Sequence, residues 1–292
     1  MWISNVRLPY YWPKRREQLY IQTWHSGIGL KKCESDVINH LSKVYVKNAM
    51  HDASITDLMI SNSTWESELY RRAFWYKGEI LECGLPREDV FALDSEEAKI
   101  LKCKVLEKYN LEEVQNLHLL LYVPTFRVDG SLKAYDIDYD RLICTLEKRW
   151  GGNWRIILRL HPNIQSKQTQ ITYGSKLLNG SQYGEINDLI IASDVVISDY
   201  SSCMFDAMLA GKNVFLYASD ISEYKNDRGM LFRFEELPFS LSTNNDELIN
   251  NINTFNEKKY IQSCQEFKEK IGLFNLGNAS KAVVDWIEKR LR

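Results

Sequence analysis

Residues 197–217 read ISDYSSCMFDAMLAGKNVFLY. An apolar run, Val195, Val196 and Ile197, leads into Asp199, Ser201 and Ser202. Met204, Phe205, Met208 and Leu209 then recur at helical spacing, and Gly211 closes the helix before the next apolar run. A strand, a hydroxyl-rich turn and a helix in that order place N–H and O–H donors at the strand's carboxyl end. Such a turn suits a phosphate. The same residues also read as a helix cap and a turn acid, and the local pattern alone favours neither reading. Asp206 follows Ser202 by one helical turn, which suits either the hydroxyls of a bound ribose or a solvated helix acid.

Two histidines stand at comparable places. His25 ends the apolar segment QLYIQTW and is followed by SGIGLKK. Gly27 and Gly29 allow close backbone approach to a ligand, and Lys31 and Lys32 could steer an anion. A lone histidine is more often structural, but one at a strand end beside glycines is a candidate general base. His161 follows WRIILRL, which also supplies Arg159. The charge-free strand at 119–123 ends in PTFR, bringing Thr125 and Arg127. Strands and helices alternate through this half, the rhythm of a parallel sheet, and strand ends of such a sheet share one edge. A phosphate or nucleotide site is therefore expected from Thr125, Arg127, Arg159, His161, Asp199, Ser201 and Ser202. The loop ASDISEYKNDRGM is polar and carries Asp220, Glu223, Tyr224, Arg228 and Gly229. The acids of DIDYD, residues 136–140, could hold a nucleotide-bound metal; the favoured reading is the first turn of a helix, and no strong metal constellation is found.

The elements positioning these residues belong to a chain of 292 residues, 45% hydrophobic and 26% charged, suited to two globular domains or one large one. Lys plus Arg number 37 against 39 Asp plus Glu, which argues against broad nucleic-acid binding. The cysteines form no C-x-x-C pair, so reduced thiols are expected and neither zinc nor a disulfide framework. No apolar run approaches the roughly 18 residues of a membrane span. Arg7, Lys14, Arg15 and Arg16 interrupt any signal-peptide pattern, but with Trp2, Tyr10, Tyr11 and Trp12 they give the opening segment an interfacial composition. A surface segment with some aromatics tucked into the fold is the plainer reading. Helices are expected at 63–74, 95–109, 186–192, 246–255, 257–271 and 280–291, and 44–50 reads as a short mixed segment.

Taken together, QTWHSGIGLKK, CGLPRED, YVPTFR, LRLHP, ISDYSSCMFD, the loop at 223–229 and GNASKAVVDWI resemble the CDP-glycerol glycerophosphotransferase family of teichoic acid primases and polymerases. Ser26 stands where that family usually has glycine. The resemblance implies an α/β, GT-B-type fold: two Rossmann-like domains facing across a cleft, residues 1–115 on the acceptor side and 116–292 holding nucleotide. Met1 lies only 24 residues before His25, so the first domain is expected to be shortened. The implied reaction moves glycerol phosphate from CDP-glycerol to a hydroxyl of a polyprenol-linked acceptor, releasing CMP. It makes His25 and His161 catalytic, with Gly27, Thr125, Arg127, Arg159, Asp199, Ser201, Ser202, Asp206 and Arg228 binding substrate. It implies no cofactor and no nucleic acid, and a cytoplasmic protein with a peripheral place on the inner face of the membrane. A CDP-ribitol or sugar-nucleotide transferase of the same fold, and a non-catalytic nucleotide-binding member, stay open as alternatives.

Overall fold

The computed structural model describes residues 1–127, 129–223 and 229–291. The chain divides into two compact units. The first comprises residues 1–92, 226–233 and 265–292, and the second 93–225 and 234–264. The division falls earlier than 115, because the helix Ser95–Lys108 packs in the second unit against Ile186–Ala192. The C-terminal helix Ala279–Leu291 returns to the first unit, where Asp89 accepts from the N–H groups of Ala279 and Ser280 at 3.0 and 2.8 Å.

The first unit is built on a parallel sheet in the order β1 (Trp2–Ser4), β2 (Tyr20–Gln22), β3 (Leu58–Ser61), β4 (Glu79–Glu82). Its strands are short and apolar, and β2 and β3 are buried throughout, as strands covered on both faces must be. Ile21, Leu58 and Ile60 pack with Val283 and Trp286 of the C-terminal helix. Met59 packs with Leu69, Tyr70 and Phe74, from the segment around α2 (Thr64–Ala73). Ser63 caps α2, accepting from Glu66 N–H at 3.1 Å. Residues 43–55, read as partly mixed from sequence, form one helix, α1 (Lys43–Ile55), capped by Ser42. Its buried face is small, Ala49, Asp52 and Ala53, which leaves little apolar periodicity to detect.

The second unit carries six parallel strands in the order β10 (Ser240–Ser242), β9 (Asn213–Tyr217), β8 (Val195–Ser198), β5 (Leu117–Tyr122), β6 (Asn153–Leu158), β7 (Leu177–Asn179). The chain runs outward from β5 to β7, then crosses back to β8 and continues the other way. The strand order therefore reverses between β5 and β8, where open α/β sheets bind ligands. Trp154, Leu158, Ile197 and Phe215 fill a core with Leu142, Ile143 and Leu146 from one face of the helix Tyr139–Trp150. Each such side chain contributes about 1.5–3 kcal/mol by its burial. Asp138 caps that helix, accepting from Arg141 N–H at 3.0 Å, so DIDYD opens a helix. Among the described residues, no helix is long and apolar enough to cross a membrane.

Candidate active site

Three of the expected polar sets lie at the carboxyl ends of adjacent strands, β8, β5 and β6. The pairing of Tyr122 with Ile197 and Leu158 fixes their heights along the sheet. Asp199, just past β8, is fully buried and ties two strand ends together. Its Oδ1 accepts from the N–H of Thr125 at 2.7 Å and of Tyr200 at 2.5 Å, and its Oδ2 lies 2.9 Å from Arg127 Nη2. Arg127 donates further to Asp220, at 3.0 Å from Nη2 to Oδ1, and stands 5.1 Å from the Tyr200 ring. Burial opposes the Arg127 charge, but hydrogen bonding to Asp220 and the field of Asp199 outweigh it and hold the guanidinium above its ordinary value. Burial raises the Asp199 carboxyl, against Arg127 and the two N–H donors.

The donors expected to be open at this turn are thus partly spoken for: the N–H groups of Thr125 and Tyr200 go to Asp199. Hydroxyls remain. Thr125 Oγ1 is buried beside Asp199, where its hydroxyl favours the ionised carboxyl. Ser201 Oγ accepts from Cys203 N–H at 3.4 Å, and Ser202 precedes the seven-residue helix Cys203–Leu209 without a side-chain cap bond. Both serines are half-buried. Asp206 is buried within that helix. Arg159 donates to the carbonyls of Gly180, Tyr183 and Gly184 at 3.3, 2.6 and 3.2 Å, holding the loop that follows β7. Burial lowers its pKa, with Cys203, Tyr109 and Glu185 acting the other way. Arg228 lies outside the described residues.

The two histidines are held in opposite ways. His161 begins the short 3-10 helix Pro162–Gln170, its ring 4.6 Å from Phe126. Its Nδ1 accepts from Asn163 N–H at 3.2 Å, so the neutral ring carries its proton on Nε2, as a donor. His25 belongs to the first unit, just past β2, and is exposed. Its Nδ1 lies 3.0 Å from the carbonyl oxygen of Asn5. A carbonyl can only accept, so the neutral ring carries its proton on Nδ1, and Nε2 presents a lone pair. Trp24 packs against this ring, with centroids 4.2 Å apart and the planes tilted by 35°.

Gly27 is buried, and the close approach it permits is to its own unit. A Cβ there would stand 2.1 Å from Asn62 Nδ2 and 2.8 Å from Glu88 Oε1. The same loop continues into Lys31, which bridges to Met230, while Lys32 N–H donates to Gly229 O at 3.1 Å. Sequence reasoning did not join Asp220 and Tyr200 to Arg127, nor Asn5 to His25. The first link crosses 93 residues and the second is to a backbone carbonyl, which no side-chain pattern announces.

Residues 1–289 match the family described as CDP-Glycerol:Poly(glycerophosphate) glycerophosphotransferase. The chain belongs to this family. It is 29% identical to a teichoic acid poly(glycerol phosphate) polymerase of Bacillus spizizenii, over 97% of this chain and 73% of the relative. It is 30% identical to one of Staphylococcus epidermidis, over all of this chain and 42% of that relative. The chain thus spans about three-quarters of one relative and about two-fifths of the other. The wall teichoic acid polymerase TagF superposes with a TM-score of 0.81 at 29% identity, covering 99% of this chain and 72% of TagF. A histidine variant of TagF soaked with CDPG gives 0.82 at 28% identity over the same shares. The family's fold is α/β with parallel, Rossmann-like sheets of the GT-B kind, as the chain's motifs led one to expect.

Proposed function

We propose that this protein transfers glycerol phosphate from CDP-glycerol to a hydroxyl of a polyprenol-linked acceptor in the synthesis of teichoic acid or a related surface polymer. The acceptor oxygen attacks the phosphorus that bears glycerol, and the bond from that phosphorus to the bridging oxygen breaks. CMP leaves with the electron pair, and the acceptor's proton passes to Nε2 of His25. The observation that carries this reading is the bond from His25 Nδ1 to the Asn5 carbonyl, which leaves Nε2 as a proton acceptor. His161 is proposed for the complementary part. With Nδ1 occupied by the Asn163 N–H, its Nε2–H donates to the diphosphate as charge grows on the leaving phosphate.

Thr125, Ser201 and Ser202 supply neutral donors to phosphate oxygens, and the half-buried place of the two serines just past the strand end supports this assignment. Asp199 and Arg127 organise the strand ends, and Arg159 holds the loop after β7 while leaving a positive charge at the edge. Gly27 lets the His25 loop seat on Asn62, and Asp206 supports the serine turn from within the helix Cys203–Leu209. Arg228 is a candidate phosphate contact on the sequence alone. A peripheral place on the inner face of the membrane is also proposed. Tyr11 and Trp12 are exposed beside Arg15 and Arg16, and Lys47 covers the Tyr10 ring at 3.9 Å.

The test is CMP release from CDP-glycerol and from CDP-ribitol, each with and without lipid-linked acceptor. The proposal expects release from CDP-glycerol that depends on the acceptor. Preference for CDP-ribitol would change the donor, and nucleotide binding without release under any condition would replace transfer with a binding role.

A further inference from the structure

We propose that Arg7 is a positioning residue that sets the tautomer of His25, an inference that rests on reading His25 as the base. His25 is exposed, so a single contact to a mobile carbonyl would let the imidazole rotate and exchange tautomers. The segment that carries the Asn5 carbonyl is tied down on both sides of it. Residues 4–8 are pinned at nearly every position: Ser4 O accepts from Thr23 N–H at 2.9 Å, and Val6 O accepts from Gln22 Nε2 at 3.0 Å. Arg7 and Leu8 are held by Asp52, from Arg7 Nη1 and from Leu8 N–H at 2.9 Å each.

Arg7 stands at the centre of this arrangement. Its side chain is 7% exposed, and Nη2 lies 3.1 Å from Glu34. Its guanidinium carbon is 5.4 Å from the centroid of Trp24 and 5.1 Å from that of Phe74. Trp24 packs edge-on against Phe74 at 4.9 Å and lies tilted against His25. Arg7 therefore touches the ring that packs on His25 and anchors the segment whose carbonyl binds it. Trp24 itself adopts the left-handed region, with φ of 53°, and its N–H donates to Gln22 Oε1 at 3.0 Å. Gln22 thus joins the Val6 carbonyl to the Trp24 amide, closing the link on the other side.

Two buried carboxylates and a buried guanidinium are an expensive way to hold a loop, since an apolar set of similar volume would often be as stable. Burial opposes the Arg7 charge, and Glu34 and Asp52 together raise its pKa above the ordinary value, so it is charged at every working pH. What the ion pairs add over packing is direction. Two contacts, one from each terminal nitrogen to a different carboxylate, fix the guanidinium plane, and with it the path of residues 5–8.

Arg7→Lys keeps the charge but cannot reach both carboxylates in that plane, and Glu34→Gln removes one of them while keeping its shape. The experiment records the imidazole nitrogen resonances of His25 in the apoprotein, together with CMP-release kcat and CDP-glycerol Kd. In wild type His25 carries its proton on Nδ1. In both variants a mixture of tautomers is expected, with kcat lowered about 10- to 100-fold, part of what a general base contributes, and Kd unchanged. Arg7→Ala is set aside because it would strand two buried carboxylates. Should Arg7→Lys fail to fold, Glu34→Gln carries the same comparison. An unchanged tautomer in folded Arg7→Lys and Glu34→Gln would overturn the proposal, as would losses of kcat and Kd in parallel. Failure of the base assignment shows separately, as a His25→Ala variant that still releases CMP at the wild-type rate.

Discussion

Glu66 gives a quantitative test of how the first unit supports the His25 loop. It lies in the first turn of α2 and is fully buried. Its Oε2 accepts from Asn62 N–H at 2.7 Å, and its Oε1 pairs with the Tyr70 hydroxyl at 2.6 Å. Asn62 in turn donates to Glu88 and lies under Gly27. Burial pushes the Glu66 carboxyl up to about 8 from an ordinary 4.5, over the opposing pull of Tyr70 and Asn62. The folded state therefore keeps a proton that the unfolded chain has lost between about pH 4.5 and 8, so stability falls as pH rises through that window and levels off above it. At 1.36 kcal/mol per pH unit the full loss is about 5 kcal/mol. Glu66→Gln cannot titrate, and its amide can still accept from Asn62 and donate to the Tyr70 oxygen. The variant should match wild type within about 1 kcal/mol at pH 5 and exceed it by about 3–5 kcal/mol at pH 9. Urea unfolding of both proteins from pH 5 to 9 measures the difference. A difference that stays constant over this range would refute the argument, because it would mean that Glu66 remains ionised throughout.

Two further substitutions probe the site. Gly27→Ala forces a methyl group against Asn62 and should cost about 1–3 kcal/mol, seen as a lower Tm, with CDP-glycerol affinity unchanged; an unaltered Tm would show that the loop yields without cost. The double variant Ser201→Ala, Ser202→Ala should weaken CMP and CDP-glycerol binding by calorimetry, each lost phosphate bond costing about 1–3 kcal/mol, and unchanged affinity would remove the serine turn from the site.

Much of the second unit was legible because its signals are local. The apolar runs before Thr125, Arg159 and Asp199 are strands, and their alternation with helices placed all three at one sheet edge before any coordinates. The three-residue strands β7 and β10 were not legible, being too short to show a period. Ser201 and Ser202 stood out as a hydroxyl pair after a strand, but not that Asp199 would take the neighbouring N–H groups, since that follows from a contact across 74 residues. In the first unit, Gly27 stood out by its type, though the group that fills its space is the Asn62 side chain. Arg7 stood out only as a charge near the N-terminus. Its partners Glu34 and Asp52 are brought to it by tertiary packing, with no fixed spacing to reveal them.

The central claim is that the two histidines have different tasks because they are held in opposite tautomers. The most direct measurement is the CDP-glycerol Kd of His25→Ala set beside its rate of CMP release with a lipid-linked acceptor. The account predicts a Kd close to that of wild type and a rate lowered about 100- to 10,000-fold, the contribution of a general base. A Kd that rises by the same factor as the rate falls, or a rate that does not fall, would contradict it.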